Sequence, residues 1–522
     1  MNIKTGILLL TFLTSGLLAA QQYRVYFTDK GDQPVQSPWQ YLSQDALERR
    51  ALRGIPLDYH DRPVASEYRR ALREIGLVEI MHSRWLNYVK VEAIADPEAV
   101  LQLPFVKRIE WVEPMRVHHS AGAKMMLDTL IYGLATNQIE MLNGQYLHQR
   151  QQFSQGMRIA VLDAGFNGTL GLSGLDSLRA DNRIKDNHSF IASDTNAFGG
   201  GSHGTQVLGV LAGYIDSQFV GTAWKADYYL YRTEFEPTET TVEMDNWLAA
   251  AERADSLGVD IITSSLGYTE FDGGVGSYDY LEMDGNTTIV TRAADMAASR
   301  GILVVVSAGN LGDAPWQFIS APADGDSVLA VGAVLPDGSY ASFSSWGPTA
   351  DGRIKPDVSA QGVATAILHP TGVSFGNGTS FSCPLVSGLA ACLWQQDPSL
   401  SNMTVLEAIR SNASQSFQPD NRLGFGIANF RDAQWSISQA EFVPDKAAVY
   451  EVYPNPVADN LRLESSKPIS GARLFDLNGK LIREFDTDEI DSGILIMPQS
   501  PGVYFLAVNI GNETFLEKII IQ

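Results

Sequence analysis

The pattern of hydrophobic and polar positions changes twice along the chain. From residue 157 to 440, short continuous apolar runs alternate with stretches of helical spacing. Such runs are typical of strands buried on both faces of a parallel sheet. The alternation predicts an α/β domain with a doubly wound, mostly parallel sheet. The predicted strands are residues 158–162, 228–231, 260–263, 302–307 and 328–331, and the predicted helices are residues 204–213, 245–257, 288–300 and 381–395.

The regions on either side of this domain have shorter elements. Residues 21–120 mix strand-like alternation with short helical stretches, which predicts a small α+β unit. Residues 441–522 show short alternating runs, turn signals at 478–479 and 511–512 and no convincing helix, which predicts a small all-β sandwich. Residues 121–156 are polar with little periodicity, and we interpret them as a linker and processing region.

The N-terminus resembles an export signal. Lys4 precedes an almost wholly apolar run, residues 7–20, which ends in small residues. This run is shorter than the ~20 residues that a transmembrane helix needs, so we interpret residues 1–20 as a cleaved signal peptide. No later stretch of the sequence has the length and apolarity of a membrane span. We therefore expect an exported protein without a transmembrane segment.

Composition and charge narrow the possible partners. The chain has 522 residues with 45% hydrophobic positions, enough for several packed domains. Its 60 acidic and 38 basic residues give a net charge of −22, which argues against a nucleic-acid or anionic-membrane partner. Its two cysteines, Cys383 and Cys392, fall in one predicted helix, roughly 13 Å apart by helical rise. This separation predicts two buried, unpaired thiols.

Three polar residues lie where predicted elements begin or end. Asp163 directly follows the first predicted strand, His203 opens a helix after a glycine-rich segment, and Ser380 opens the last apolar helix. In such sheets, ligands bind beyond the carboxyl ends of the strands. A hydroxyl becomes a useful nucleophile when a base removes its proton and a carboxylate orients that base. The order Asp, His, Ser, with spacings of 40 and 177 residues, suggests such a triad.

These segments resemble the subtilisin-like (subtilase, S8-type) serine peptidases over residues 157 to 435. The resemblance is carried by the chain order, by HGT at 203–205, by GTS-x-x-x-P at 378–384 and by VSAGN at 306–310. It implies that Ser380 is the nucleophile, His203 the general base and acid, and Asp163 the residue that orients it. It also implies that the Asn310 side chain and the Ser380 backbone N–H stabilise the oxyanion.

The same resemblance suggests where a substrate binds. The segment 264–267 (SSLG) resembles the sheet edge that pairs with an extended substrate backbone. The base of the primary pocket is expected within residues 317–322, which carry no charge and favour uncharged, including apolar, side chains at the cleaved position. Its walls are implied to be Ser265, Leu266, Gly267, Ala308 and Gly309.

No cofactor is required for this chemistry. Calcium is common in the family, but the acidic loop with Glu282 and Asp284 has no assignable geometry, so the metal remains unknown. The sequence also departs from the family pattern near the triad. Ala164 stands where Ser or Thr is usual and Gln206 where a second His is usual. These departures leave the proton-transfer groups intact but put the packing beneath the His203 helix in question.

Both flanking regions have their own resemblance. Residues 21–120 loosely resemble the inhibitory pro-domain of subtilases, and this resemblance implies that the region acts as an intramolecular inhibitor. The alternative is an accessory domain retained in the mature enzyme. Residues 441–522 resemble the sorting domain of the type IX secretion system, through segments 453–456, 474–480, 502–505 and 518–521. This implies the type IX machinery as a partner and a secreted or cell-surface location. A carbohydrate-binding or adhesive β-domain is the rival interpretation.

We therefore expect a secreted serine endopeptidase, made as a zymogen, that acts on proteins and peptides. A catalytically dead binding protein on the same fold is the main alternative, but all four polar catalytic groups are present. For such a protein, Ser380→Ala would leave every measurable property unchanged. A lipase or esterase would favour Gly-x-Ser-x-Gly, but Ser382 occupies the position of the second glycine. Because His203 must be neutral to act as a base, kcat/KM should fall at acid pH with a midpoint of about 6–7.

Overall fold

The computed structural model describes most of the chain as two compact units, Met1–Gln434 and Trp435–Gln522. The predicted signal peptide (1–20) and both predicted turn dipeptides, 478–479 and 511–512, lie outside the described residues. The described residues are 22–31, 41–92, 97–112, 132–191, 194–236, 238–274, 276–370, 372–440, 450–453, 457–465, 468–475, 480–498, 500–510 and 513–521.

The first unit begins with a small α+β region. Its elements are β1 (Gln22–Phe27), α1 (Gln44–Leu52), α2 (Ser66–Glu74), β2 (Val78–Ser83), β3 (Tyr88–Glu92), α3 (Pro97–Leu101) and β4 (Val106–Val112). The four strands form an antiparallel sheet in the order β2-β3-β1-β4. Val25, Leu72 and Val89 are among the buried residues of its own core.

Part of the predicted linker is folded. Two short helices, α4 (Thr136–Glu140) and α5 (Gly144–His148), lie within it. The side chains of Ile139 and Leu147 are fully buried. These helices are too short for their periodicity to appear in the sequence, and their few apolar side chains are buried only through tertiary contacts. The interpretation of residues 121–156 as a linker is therefore wrong from residue 132 onward, where the chain belongs to the packed unit.

The rest of the first unit is built around a seven-stranded sheet in the order β13-β12-β11-β10-β5-β9-β6, and all six strand pairs are parallel. The elements are β5 (Arg158–Asp163), α6 (Asp176–Ala180), β6 (Ile184–Ser189), α7 (His203–Ala212), β7 (Tyr214–Ile215), β8 (Phe219–Val220), β9 (Asp227–Arg232), α8 (Thr241–Ser256), β10 (Ile261–Ser264), α9 (Ile289–Ser299), β11 (Leu303–Ser307), β12 (Val328–Val334), β13 (Val358–Gln361), β14 (Thr365–His369), β15 (Gly372–Gly376), α10 (Thr379–Trp394), α11 (Asn402–Ser411) and α12 (Phe430–Ala440).

This topology confirms the predicted doubly wound α/β fold. Strand β5 has β9 on one side and β10 on the other, so the strand order reverses at β5. The carboxyl end of β5 is therefore the switch point at which such sheets bind ligands. Two of the seven strands, β6 and β13, were not predicted. β6 is an edge strand with half-exposed polar residues, so it lacks the continuous apolar run that marks a buried strand.

Helix α10 crosses the middle of the unit. Fifteen of its sixteen residues are buried, and both Cys383 and Cys392 are buried, unpaired thiols, as predicted. Helix α7 is also almost wholly buried from Gly204 to Ala212. Its packing is therefore complete even though Gln206 departs from the family pattern. The two helices contact one another, and the ring of Phe381 in the first turn of α10 lies 6.1 Å from the ring of His203 at the start of α7, so their N-termini lie close together.

From Tyr450 onward, the described part of the second unit consists of strands and one short helix. Its elements are β16 (Tyr450–Tyr453), β17 (Asn460–Ser465), β18 (Ile469–Phe475), β19 (Leu481–Phe485), α13 (Thr487–Ser492), β20 (Ile494–Ile496), β21 (Gly502–Ile510) and β22 (Glu513–Ile521). They form two antiparallel sheets, β16-β17-β20 and β19-β18-β21-β22, around one apolar core. The expectation of no helix is wrong at α13, where Asp486 and Glu489 form a capping box and Gly493 ends the helix.

Helices of the described residues are all too short or too polar to cross a membrane.

Candidate active site

Asp163 and His203 meet at the carboxyl end of β5. Asp163 is the last residue of β5 and is fully buried, and His203 is the first residue of α7. The distance from His203 Nδ1 to Asp163 Oδ1 is 2.8 Å. The approach depends on Gly204, because a Cβ there would lie 2.9 Å from Asp163 Cβ and 2.6 Å from the Gly165 carbonyl oxygen. The aspartate therefore holds one ring nitrogen and leaves Nε2 as the proton acceptor.

Only one carboxylate oxygen of Asp163 is engaged. Oδ1 accepts hydrogen bonds from His203 and from the backbone N–H of Ala164, at 2.8 Å. Oδ2 is buried and has no partner among the described residues. Ala164 has no hydroxyl to offer, whereas the family usually places Ser or Thr there. The departure noted in the sequence therefore coincides with an unsatisfied acceptor beside the catalytic histidine.

The electrostatics of His203 favour the protonated ring. Burial of the imidazole opposes its charge, but the carboxylates of Asp163 and Glu236 more than offset this, and the net effect raises the pKa of His203 above its ordinary value. The side chain remains 33% exposed, so solvent and substrate can reach it. An imidazole placed in this way can accept a proton and hold it as a stabilised imidazolium.

Ser380 lies in the first turn of α10, directly before Phe381. Gly378, with φ of 142°, adopts a backbone conformation that favours glycine, and the helix starts at Thr379. The ring of Phe381 lies 6.1 Å from the His203 ring, and Ser265 Oγ donates to the Ser380 carbonyl at 2.9 Å. Among the described residues the Ser380 hydroxyl makes no hydrogen bond, so its contact with His203 is not closed. Such contacts often tighten only when substrate binds.

Asn310 is held against the same helix terminus. Its Oδ1 accepts hydrogen bonds from the Thr379 backbone N–H at 2.8 Å and from the Thr379 hydroxyl at 2.9 Å. Because Oδ1 is engaged, the orientation of the amide is fixed, and Nδ2 is the donor left for a ligand. The predicted oxyanion donor thus lies beside the backbone of residues 378–380. Sequence reasoning missed Thr379 as the residue that holds it.

The predicted pocket walls also come together. A Cβ on Gly267 would lie 2.1 Å from Ser320 Oγ, and a Cβ on Gly309 would lie 3.0 Å from the same atom. The Ser320 side chain therefore lies between two predicted walls, within the predicted base at 317–322. Its hydroxyl is buried and has no partner among the described residues. Both glycines therefore pack directly against the Ser320 side chain, which offers a polar group at this place.

Two groups of carboxylates could bear on a metal site. Those of Glu282 and Asp284 accept hydrogen bonds from groups of their own loop. The second group was not predicted from the sequence: Glu234, Glu239 and Glu243 have carboxylate oxygens within 4.8 Å of one another. Burial, followed by mutual repulsion, raises the pKa of Glu239 to about 8 and that of Glu243 to about 10.

The α+β region covers helices α8 and α9. Tyr26, Trp85 and Tyr88 belong to the same buried cluster as residues of these helices. Asp255, near the end of α8, is fully buried and accepts hydrogen bonds from Arg49 at 2.6 Å, Arg50 at 2.7 Å and Arg84 at 2.8 Å. Arg24 and Asp245 form a further pair at 2.6 Å. Arginines of the first region thus meet carboxylates of α8.

Profiles of known families match three parts of the chain. Residues 22–125 match the peptidase S8 propeptide domain of Bacteroidota, residues 154–426 match the Subtilase family (peptidase S8), and residues 451–522 match a secretion system C-terminal sorting domain. The pro-domain and the sorting domain, both suggested by the sequence, are therefore present.

Individual relatives point to the same family. Subtilisin E of Bacillus subtilis is 30% identical over 335 residues, covering 63% of this chain and 76% of that protein. Subtilisin of Bacillus pumilus is 32% identical over 282 residues, covering 53% and 90% respectively. A solved structure, MycP1 from the ESX-1 type VII secretion system, covers 62% of this chain and 91% of its own at 21% identity, with a TM-score of 0.47. With the Subtilase profile matching more than half of its length, the chain belongs to the subtilase family of serine endopeptidases.

Proposed function

We propose that the protein hydrolyses peptide bonds through an acyl-enzyme on Ser380. The supporting observation is the 2.8 Å contact between His203 and Asp163, at the N-terminus of a helix that shares its end of the sheet with α10. His203 Nε2 removes the hydroxyl proton as Oγ attacks the carbonyl carbon, and it then delivers that proton to the leaving amine. Water, activated by the same imidazole, releases the acid product.

Two donors support the negative charge that forms on the carbonyl oxygen. Asn310 Nδ2 is oriented by Thr379, and the backbone N–H of Ser380 lies in the first turn of α10, where such groups have no intrahelical acceptor. The sixteen-residue helix adds the positive end of its dipole. Donors fixed in this way need no rearrangement at the moment of reaction.

The test is cleavage profiling of the processed protein on a peptide library. Ser380→Ala should lower kcat by at least about 10⁴-fold, since the nucleophile is lost. Ser382→Ala is the matched control: this serine lies in the same turn, its hydroxyl donates to the Thr379 carbonyl, and the family usually has a small apolar residue there. Equal activity of the Ser380→Ala variant and the native protein would refute the mechanism.

For the primary pocket we propose a preference for uncharged side chains. Gly267 and Gly309 lie against Ser320, and the hydroxyl of Ser320 is the polar group at the base of the proposed pocket. A buried hydroxyl without a partner favours a ligand group that can share a hydrogen bond, and it offers no charge to a Lys, Arg, Asp or Glu side chain. Medium-sized side chains with apolar or amide character fit this chemistry best.

We further propose that the α+β region inhibits the peptidase until it is removed. The support is its close packing against α8 and α9 and the match of residues 22–125 to a propeptide domain. Because the chain from 132 onward is packed into the peptidase, we place the processing site between residues 112 and 132. Mass spectrometry of the mature N-terminus tests this position. The sorting domain directs export to the cell surface or the medium.

A further inference from the structure

The segment after strand β9 is acidic and lies beside the catalytic histidine. Residues 233–243 contain four glutamates and no lysine or arginine. Glu234 and Glu243 are buried and accept hydrogen bonds from hydroxyl and backbone groups of the protein. Glu239 is half-buried, whereas Glu236 is exposed. Of these four carboxylates, Glu236 is therefore the one that a substrate can reach.

The carboxylate of Glu236 lies against the backbone segment that leads into His203. A Cβ on Gly201 would lie 1.5 Å from Glu236 Oε1, so the carboxylate lies directly over the backbone of that glycine. Gly201 is two residues before His203, and the charge of Glu236 acts on the imidazole. The absence of a side chain at position 201 is what lets the carboxylate lie so close to the catalytic ring.

The charge of Glu236 is not compensated by any side chain of the described residues. The described part of the chain contains no residue that forms a hydrogen bond or an ion pair with the Glu236 side chain. Arg232, at the end of β9, is almost fully buried. Its guanidinium forms an ion pair with Asp194 and donates a hydrogen bond to the Ala164 carbonyl at 3.1 Å. Its charge is therefore already compensated. Among these groups, Glu236 is the uncompensated negative charge at the edge of the site.

A general base must lie within hydrogen-bond reach of the proton that it removes, so the residues flanking the cleaved bond pass close to His203. We propose that Glu236 is a specificity-determining residue that selects substrates with a lysine or arginine flanking the cleaved bond. This deepens the proposed function and rests on it. The cationic side chain would form an ion pair with Glu236 at the rim, separate from the uncharged primary pocket at Ser320.

The experiment compares peptides that are identical except at one flanking position, which carries lysine, uncharged norleucine or glutamate. Each position on either side of the cleaved bond is varied in turn. For the native protein, kcat/KM at the recognised position should be about two- to five-fold higher with lysine than with norleucine, the range expected of an exposed ion pair. The preference should shrink between about 0.01 M and 1 M salt, because the Debye length falls from about 30 Å to 3 Å.

Variants separate this role from a general effect on the fold. Glu236→Gln should remove the preference for lysine while norleucine peptides remain good substrates, and Glu236→Lys should reverse it in favour of glutamate. Glu140→Gln removes an exposed glutamate from α4 and should leave the preference unchanged. A lysine preference that survives Glu236→Gln, or no lysine preference in the native protein, overturns the inference. Failure to cleave any peptide would overturn the proposed function instead.

Discussion

At the scale of single residues, the site combines buried and exposed charge around one imidazole. Asp163 is fully buried and Glu236 is exposed, and the negative charges of both act on the His203 ring. Both would favour the imidazolium that the proposed mechanism forms at His203 when Ser380 loses its proton. The same stabilisation has a cost at acid pH, because a protonated ring cannot act as a base.

The first prediction concerns pH. The net effect of burial, Asp163 and Glu236 raises the pKa of His203, so the acid limb of kcat/KM should have its midpoint above the ordinary histidine value of about 6.5. Activity is full above this midpoint and is lost as pH falls through it. Asp163→Asn removes the nearer carboxylate and should move the midpoint to lower pH as well as reduce kcat. A native profile that stays flat down to pH 4 would contradict the role of His203.

The second prediction concerns the oxyanion. Asn310→Ala should lower kcat by about 10²–10³, the range found when a subtilisin loses its oxyanion asparagine, with little change in KM. The substitution also removes the acceptor for Thr379. Thr379→Val is therefore the control, since it removes only the hydroxyl contact and should have a smaller effect on kcat. Equal losses in the two variants would mean that the amide acts by holding the helix terminus and not as a donor.

At the scale of elements, helix α8 is where the pro-domain meets the peptidase. Asp245 and Asp255 on this helix are fully buried, and each is surrounded by cationic groups of the pro-domain. Burial by itself would raise the pKa of Asp255, but Arg49, Arg50 and Arg84 more than offset this, and the pKa is lowered. The stabilisation is therefore present at neutral pH and is lost as pH falls below the usual carboxylate range and through the folded pKa.

The third prediction follows from this helix. In the full-length Ser380→Ala chain, which cannot process itself, Asp255→Asn should destabilise the pro-domain contact by about 3–5 kcal/mol. The reason is that the buried Arg49 and Arg84 lose their carboxylate partner, whereas Arg50 keeps only Asp61. The measurement is denaturant unfolding followed by tryptophan fluorescence, to which the buried Trp85 of this interface contributes.

The matched control for that experiment is another ion pair across the same interface. Asp45 and Arg158 are 3.1 Å apart, but their side chains are 47% and 28% exposed. Water screens this pair, so Asp45→Asn should cost no more than about 1 kcal/mol. Equal effects of the two substitutions would show that burial of Asp255 does not decide the strength of the contact.

At the scale of the whole molecule, the chain combines a peptidase, its pro-domain and an address for export. The second unit has its own apolar core of residues such as Leu463, Leu474 and Leu506. None of the catalytic groups lies in it. We therefore expect catalysis and export to depend on different units. Removing the second unit should abolish export without unfolding the peptidase.

The fourth prediction tests this division. Removing residues 451–522 should abolish export in a bacterium that has the type IX system, so that the truncated chain accumulates inside the cell, while its peptidase unit keeps its thermal unfolding midpoint. Full-length Ser380→Ala is the control and should be exported, since export requires the address and not the activity. A truncated chain that reaches the medium as well as the native one would contradict the prediction.

The sequence alone predicts the order of the candidate catalytic groups and the fold class. Buried parallel strands need continuous apolar runs, and residues 158–162 and 302–307 show them, so the doubly wound sheet was predicted and is confirmed. The folded segment 132–156 and helix α13 were not predicted, because such short elements contain too few residues to show a hydrophobic periodicity. Their stability comes from contacts distant in sequence or from local caps.

What the sequence determined by itself is the set of chemical groups: Asp163, His203, Ser380 and Asn310, each next to the end of an apolar element. Only the tertiary structure decided which groups act together. Glu236 lies over Gly201, Ser320 lies between Gly267 and Gly309, and three pro-domain arginines converge on Asp255. The physical reason is that periodicity reports burial and local geometry, whereas the meeting of two distant segments depends on how the sheet and helices pack around the switch point at β5.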